Sequence, residues 1–452
     1  MVLFRVAFLH FARMVRLTFD YWRIGILCEV VYSLLSETLP ELPASTTQSG
    51  ANMNSPDRDA NYKWVVLTLA ALTHTLSVAI PMMCLPVLFK EISDDLGLSL
   101  VQIGTIWGSG FVPIIIMGIV GGVLGDRFGT RRILRMFCIL AGIACGLRAF
   151  SSGFITLLAT NLLYGFLFPA IPMNVHKTCA VWFSKRQLGL ANGVVSMGMA
   201  AGFMVGSMIS ATVMSPWLGG WRNVLVFYGA VSVVVGVLWH FTDAPSGDEA
   251  SGPAVDRVSF RDAIAHVLPI RNVWLLGVAL FGFGGCAQGL LGYLPLYLRG
   301  IGWAGALADG ALGAFHGVSA VAVIPIALLS DRLGLRKKIL ISAALMMTVG
   351  TGLVSIADGL VIWVAVILAG MIRDGFMSVL MTTIIETEGI GAAYAGTGIG
   401  FVMIFSGLSN LISPPLGNSL AQYHPRLPFV FWAGLGVVGL IALLFVREGD
   451  RA

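Results

Sequence analysis

Few residues in this chain can do chemistry, and those that can stand inside long apolar runs. Arg373 and Asp374 lie together in AGMIRDGFM, His74 in ALTHTLS and His316 in GAFHGVS. Gln288, Tyr293 and Tyr297 follow one another along GCAQGLLGYLPLYL. A guanidinium in hydrocarbon costs at least about 2.5 to 3.5 kcal/mol without a partner. Adjacent residues on a helix point about 100° apart, so Asp374 is expected to be a poor countercharge for Arg373. The missing charge points to an anionic substrate, a carboxylate gripped by Arg373. Gln288, Tyr293, His74 and His316 are candidate hydrogen-bonding groups around it. Asp374 or His74 could bind a coupling proton, since either changes charge with modest environmental shifts. The competing reading has Arg373 bonded to carbonyls at a helix break, Asp374 packed against another helix end, and each histidine bonded to a neighbouring helix.

Catalytic and nucleotide chemistry find little support. There is no HExxH, GxSxG or GxxxxGK[ST], no paired acids within the apolar runs and no His/Cys ligand cluster. An enzyme, a cofactor, a metal site and ATP drive are therefore not expected. The six cysteines fall almost entirely within apolar stretches and form no CxxC, which argues against disulfides. The net charge of +5 is small for 452 residues and is no nucleic-acid signal.

The elements that must position these groups are membrane spans. Hydrophobic residues make up 57% of the chain and charged ones 11%, against roughly a quarter charged in soluble domains. Apolar runs of the ~20 residues needed to cross a bilayer place helices at 64–88, 101–124, 133–151, 154–177, 189–213 and 223–241. Six more lie at 273–298, 305–329, 339–357, 359–383, 392–418 and 427–446. The expected fold is an all-α integral membrane protein of twelve spans, divided into bundles at 64–241 and 273–446. Residues 242–272, rich in Pro, Gly, Ser and acids, form the linker between them. Residues 447–452 are the tail and 1–63 an extension. Within that extension the best apolar run is too short to span and contains Glu29, and Met53 offers an alternative start. Twelve Lys and Arg fall in one set of loops. The alternate loops hold only Lys90, Arg222, Arg299 and Arg426, so both termini and the linker are expected in the cytoplasm.

The halves repeat. Asp126 corresponds to Asp331, Gly165 to Gly370, and VFYGA at 226–230 to VFWAG at 430–434, an offset of about 205 residues. The most distinctive repeated piece is GVLGDRFGTRR, residues 122–132, after the second span. It resembles the loop signature of the major facilitator superfamily through Gly122, Leu124, Asp126, Arg127, Gly129, Arg131 and Arg132, with Thr130 where a base is usual. The second copy keeps Asp331, Arg332, Gly334, Arg336 and Lys337, with Ala327 in place of the first glycine. The resemblance covers residues 64–446. It implies two pseudo-symmetric six-helix bundles that work as a secondary transporter by alternating access. It also implies a latch at this motif, with Asp126 capping the start of the eleventh span near Gly391 to Gly396. Physically, the glycines permit a tight turn and close helix approach, and the acid suits a helix N-terminus.

WFSKRQLGLANG at 182–193 and the stripe Gly198, Gly202, Gly206 on the fifth span also agree with the family. Drug-exporting members carry Gly-Pro there, and this chain has Gly202–Phe203. The expected function is proton-coupled symport of a small organic anion by a monomer in the lipid bilayer of the cell membrane. The alternative is a drug/proton antiporter exporting amphipathic or cationic compounds. A membrane-embedded solute sensor would share every one of these features.

Overall fold

The apolar runs fold as helices, as expected. The computed structural model describes residues 56–242, 260–333 and 335–447, and all regular structure among them is helical. Eleven helical segments among these residues are long and apolar enough to cross a membrane. They are α1 (Tyr62–Leu96), α3 (Thr130–Phe150), α4 (Phe154–Trp182), α5 (Gln187–Leu218), α6 (Trp221–Phe241) and α7 (Arg271–Gly300). In the second half come α8 (Gly305–Leu333), α9 (Arg336–Val354), α10 (Leu360–Ile385), α11 (Gly391–Leu420) and α12 (Leu427–Phe445).

The remaining span, α2, runs in two pieces, Leu100–Ser109 and Ile114–Phe128. Gly110 and Pro113 flank the interruption, and proline both lacks an N–H and clashes with the preceding turn. In α4 the break falls beside Pro169. In α10 it falls after Gly370 without a proline, at Ile372 with φ −113° and ψ 8°.

The duplication extends to single contacts. A Cβ on Gly165 would lie 2.7 Å from the carbonyl oxygen of Gly110, and one on Gly370 would lie 2.5 Å from that of Phe315. Arg131, at the start of α3, donates to the carbonyls of Trp239 and His240 at the end of α6 (3.2 and 2.5 Å). Lys337 on α9, next to Arg131's counterpart Arg336, donates to Leu444 and Val446 at the end of α12 (3.0 and 2.7 Å). Both cations satisfy orphan carbonyls at a helix C-terminus, where the dipole also favours them.

The proposed extension falls mostly on residues 1–55 and the proposed linker largely on 243–259, outside the described residues. The last part of the linker contains a short helix, Phe260–Val267. His266 of this helix stacks on Tyr394 at 4.0 Å and bonds the Gly389 carbonyl at 2.7 Å.

The two halves meet along two equivalent seams. On α2, Gly104 and Gly108 press against the backbone of Pro414 and Asn410 on α11, where added Cβ atoms would lie 2.8 and 2.5 Å away. On α8, Gly313 and Gly317 lie against the side chains of Met208 and Met204 of α5, where added Cβ atoms would lie 2.3 and 3.1 Å away. Trp107 Nε1 donates to the Gln288 carbonyl (2.9 Å), and Asn418 Nδ2 to the Leu100 carbonyl (2.8 Å). These contacts lie toward the end that carries residues 97–99 and 421–426. Toward the opposite end, Gly189, Gly193, Gly396 and Gly400 face nothing within 4 Å.

Candidate functional site

The break in α10 builds the candidate site. Arg373 and Asp374 open the second segment of that helix, near its middle. Arg373 Nη1 donates to Asp374 Oδ1 at 2.9 Å, with both side chains half-buried. The expectation that neighbours pair badly is corrected here. The 100° rule holds along a continuous helix, whereas at a fresh helix start the long Arg373 stem can fold back onto the next residue. Ser319 of α8 fixes the acid from the other side. Its hydroxyl donates to Asp374 Oδ2 at 2.7 Å, and its oxygen accepts the Asp374 backbone N–H at 3.1 Å. A half-helix N-terminus, with its positive dipole end, thus faces the same point as the guanidinium.

The other half of the protein reaches this group through Phe203 of α5. The ring centre lies 5.9 Å from the Arg373 guanidinium carbon and 5.2 Å from the His316 ring. His316 is fully buried, packs on Phe315 at 5.3 Å, and neither ring nitrogen has a hydrogen-bond partner among the described residues. Arg373, Asp374 and His316 are therefore brought together. Sequence reasoning missed Ser319 and the role of Phe203, although Phe203 already stood out as the residue after Gly202.

The remaining candidates sit elsewhere. Gln288 is buried on α7, where its carbonyl anchors Trp107, and its side-chain Nε2 has no partner among the described residues. Tyr293 donates to the Pro425 carbonyl at 3.3 Å and packs among Tyr297, Phe429 and Trp432. His74 lies in a π-helical turn of α1, His74–Ala79, in hydrogen-bond range of the Val195 carbonyl (3.4 Å). Its ring meets that of His176 on α4 at 5.3 Å, a pairing not foreseen.

At the motif, Gly129 adopts φ +82°, the left-handed turn for which a glycine is suited. Close approach of α2 to α4 is supplied by Gly121 and Gly125, where a Cβ would strike Ala170 and Asn174. The Arg127 guanidinium lies 5.4 Å from the Phe128 ring, and Arg131 caps α6. Arg336 pairs with Glu386 at 2.7 Å. The side chains of Asp126, Asp331 and Arg332, the surroundings of Gly122, and Gly334 itself lie outside the described residues.

Twelve spans in two repeated bundles, with an ion pair at a mid-helix break facing the boundary, define the architecture of a membrane transporter. Residues 67–409 match the sequence model of the Major Facilitator Superfamily, and the chain belongs to that family. It is 24% identical to a probable sulfoacetate transporter, SauU, of Cupriavidus necator, over 79% of this chain and 87% of that one. It is 25% identical to a probable nitrate/nitrite antiporter, NarK1, of Thermus thermophilus, over 85% and 82%. Among solved structures it resembles a bacterial homologue of the human lysosomal transporter Spinster, with TM-score 0.65 and 17% identity over 85% of this chain and 95% of that one. The family consists of transporters, not enzymes, and the chain is an integral multi-pass membrane protein.

Proposed function

We propose that the protein carries a small carboxylate-bearing anion together with a proton, by alternating access, and that Arg373 is the anchor for the anion. The carrying observation is the half-buried Arg373–Asp374 pair at the broken α10, touching the opposite half through Phe203. An incoming carboxylate competes with Asp374 for the guanidinium. Once displaced, Asp374 retains only its Ser319 contact and takes up a proton, so that anion and proton move together without net charge. His316, beside the same ring, is the second substrate contact. The relatives named for sulfoacetate and for nitrate/nitrite support a small anion. Because Asp374 is neutralised by Arg373, no free acid awaits a cationic drug at this site.

The loop charges favour a cytoplasmic location for both termini. The closed seam at residues 97–99 and 421–426 is then the outer one, and the molecule opens to the cytoplasm. Asp126, Arg127, Gly129 and Arg131, with Asp331, Arg332 and Arg336 in the second half, form the latch that closes the other end.

The test is uptake into proteoliposomes of a carboxylate panel, with and without an inward proton gradient, for wild type and Arg373→Ala. Wild-type uptake driven by the gradient, reduced about 30-fold or more in the variant, is expected from loss of a charge-assisted contact of ~2 kcal/mol. Movement of cationic dyes but not carboxylates would overturn the reading.

A further inference from the structure

Arg132, at the start of α3, is an exposed cation with no partner among the described residues. Four arginines, Arg127, Arg131, Arg132 and Arg135, stand against one acid, Asp126, in the sequence from 122 to 140. Arg131 is committed to the carbonyls that end α6. Arg135 Nη1 lies 2.7 Å from His240 Nδ1, and Arg127 lies against the Phe128 ring. The second half has no such spare charge. At the offset of about 205 residues Arg132 corresponds to Lys337 and Arg135 to Leu340. Lys337 caps α12 and Leu340 is buried. In the first half the capping task falls to Arg131, one position earlier, which leaves Arg132 free.

Beside Arg132 runs a groove of about 510 Å³, lined by Leu124 and Phe128 of α2 and by Arg132, Arg135, Met136 and Leu140 of α3. Each helix is held on its other side. Gly121 and Gly125 bring α2 onto Ala170 and Asn174 of α4, and Gly142 brings α3 onto α6, where a Cβ would lie 2.6 Å from the Gly229 carbonyl oxygen. The face between α2 and α3 is left to the bilayer. The lining residues of α3 stand three or four apart, so they form one stripe that descends about 12 Å from Arg132 to Leu140. Phe128, Met136 and Leu140 are exposed along it. Guanidinium groups at the end of a span above an apolar trough match a phospholipid, with its phosphate at the interface and an acyl chain along the helix. An anionic headgroup is favoured, because a zwitterionic one brings its own cation to a patch already rich in arginine.

We propose that this groove binds one anionic phospholipid, its phosphate held by Arg132 with Arg135 beside it and an acyl chain along Phe128, Met136 and Leu140. The lipid fastens α2 to α3 on either side of the Gly129 turn. With the loop charges placing this end in the cytoplasm, the site belongs to the cytoplasmic leaflet.

The experiment measures the thermal unfolding midpoint of the purified full-length protein in detergent. The additives are phosphatidylglycerol, phosphatidylcholine with the same acyl chains, and glycerol 3-phosphate. Wild type should gain stability saturably with phosphatidylglycerol, at concentrations about tenfold lower than with phosphatidylcholine, and should not respond to glycerol 3-phosphate. Arg132→Gln, at an exposed position, should weaken the apparent phosphatidylglycerol affinity about tenfold through loss of a charge-assisted contact, and narrow the preference between the lipids. Lys338→Gln removes an exposed cation from the start of α9 and should change neither response. Equal responses of wild type to the two lipids would overturn the proposal, as would an unchanged affinity in Arg132→Gln. An equal loss in Lys338→Gln would replace it with a general surface-charge effect. A wild-type response to glycerol 3-phosphate equal to that for phosphatidylglycerol would overturn it in favour of a free phosphate ester. No transport is measured, so this outcome is independent of the carboxylate reading.

Discussion

Phe203 of α5 and Arg373 of α10 meet across the boundary between the bundles, ring centre to guanidinium carbon at 5.9 Å. Any rocking that separates α5 from α8 and α10 must break this contact. With Arg373 as the proposed anchor, its occupancy is thereby linked to the relative position of the halves, the coupling that alternating access needs.

Replacing the ring tests that link. A cation–π contact at this distance, partly exposed, is worth about 0.5–1 kcal/mol. Phe203→Leu should raise KM for the transported anion about two- to fivefold in proteoliposome uptake, while the unfolding midpoint stays within a degree or two of wild type.

Ser319 holds Asp374 by two hydrogen bonds and is itself buried. Ser319→Ala leaves the carboxylate and its N–H short of partners, a loss of about 2 kcal/mol or ~30-fold in gradient-driven kcat/KM. Uptake that keeps its proton dependence and its rate in this variant would remove Asp374 from the mechanism.

Gly165 and Gly370 make matched close approaches, and alanine at either would force its Cβ to within 2.7 or 2.5 Å of a backbone oxygen. Each substitution should destabilise by about 1–3 kcal/mol, and by similar amounts. Gly434→Ala, which meets nothing within 4 Å, serves as the control in the same thermal melts.

The α2–α11 seam offers a wedge. Gly108→Leu would drive a side chain into the Asn410 backbone and prevent α2 from seating on α11. The population should shift toward the opposite conformation, shortening the spin-label distance between Gly193→Cys and Gly396→Cys. The five described native cysteines are buried, so with Cys28→Ser in the background the introduced thiols react first.

The spans were legible because hydropathy alone dictates them, and the interruption of α2 could be read from Gly110 and Pro113. The break in α10 could not, since no proline marks it and Ile372 is an ordinary helix residue by type. That break is also why Asp374 was misjudged as a partner for Arg373, because the spacing argument assumes an unbroken helix. Ser319 and Phe203 acquire their roles from helices more than fifty residues away in sequence, which single-sequence patterns do not reveal. The freedom of Arg132 passed unnoticed for a further reason. Arginines near the ends of spans ordinarily reach to the interface, and only the capping tasks of Arg131 and Lys337 set it apart.

The caps made by Arg131 on α6 and by Lys337 on α12 tie the third and last helix of each bundle to one another, without help from the other bundle. Each half is thus closed by its own side chains, which supports the proposed linker between the bundles. A chain cut between residues 242 and 260 should yield two fragments that copurify and still transport, held together by the α2–α11 and α5–α8 seams. In that respect the molecule remains a dimer of related halves that happen to share one backbone.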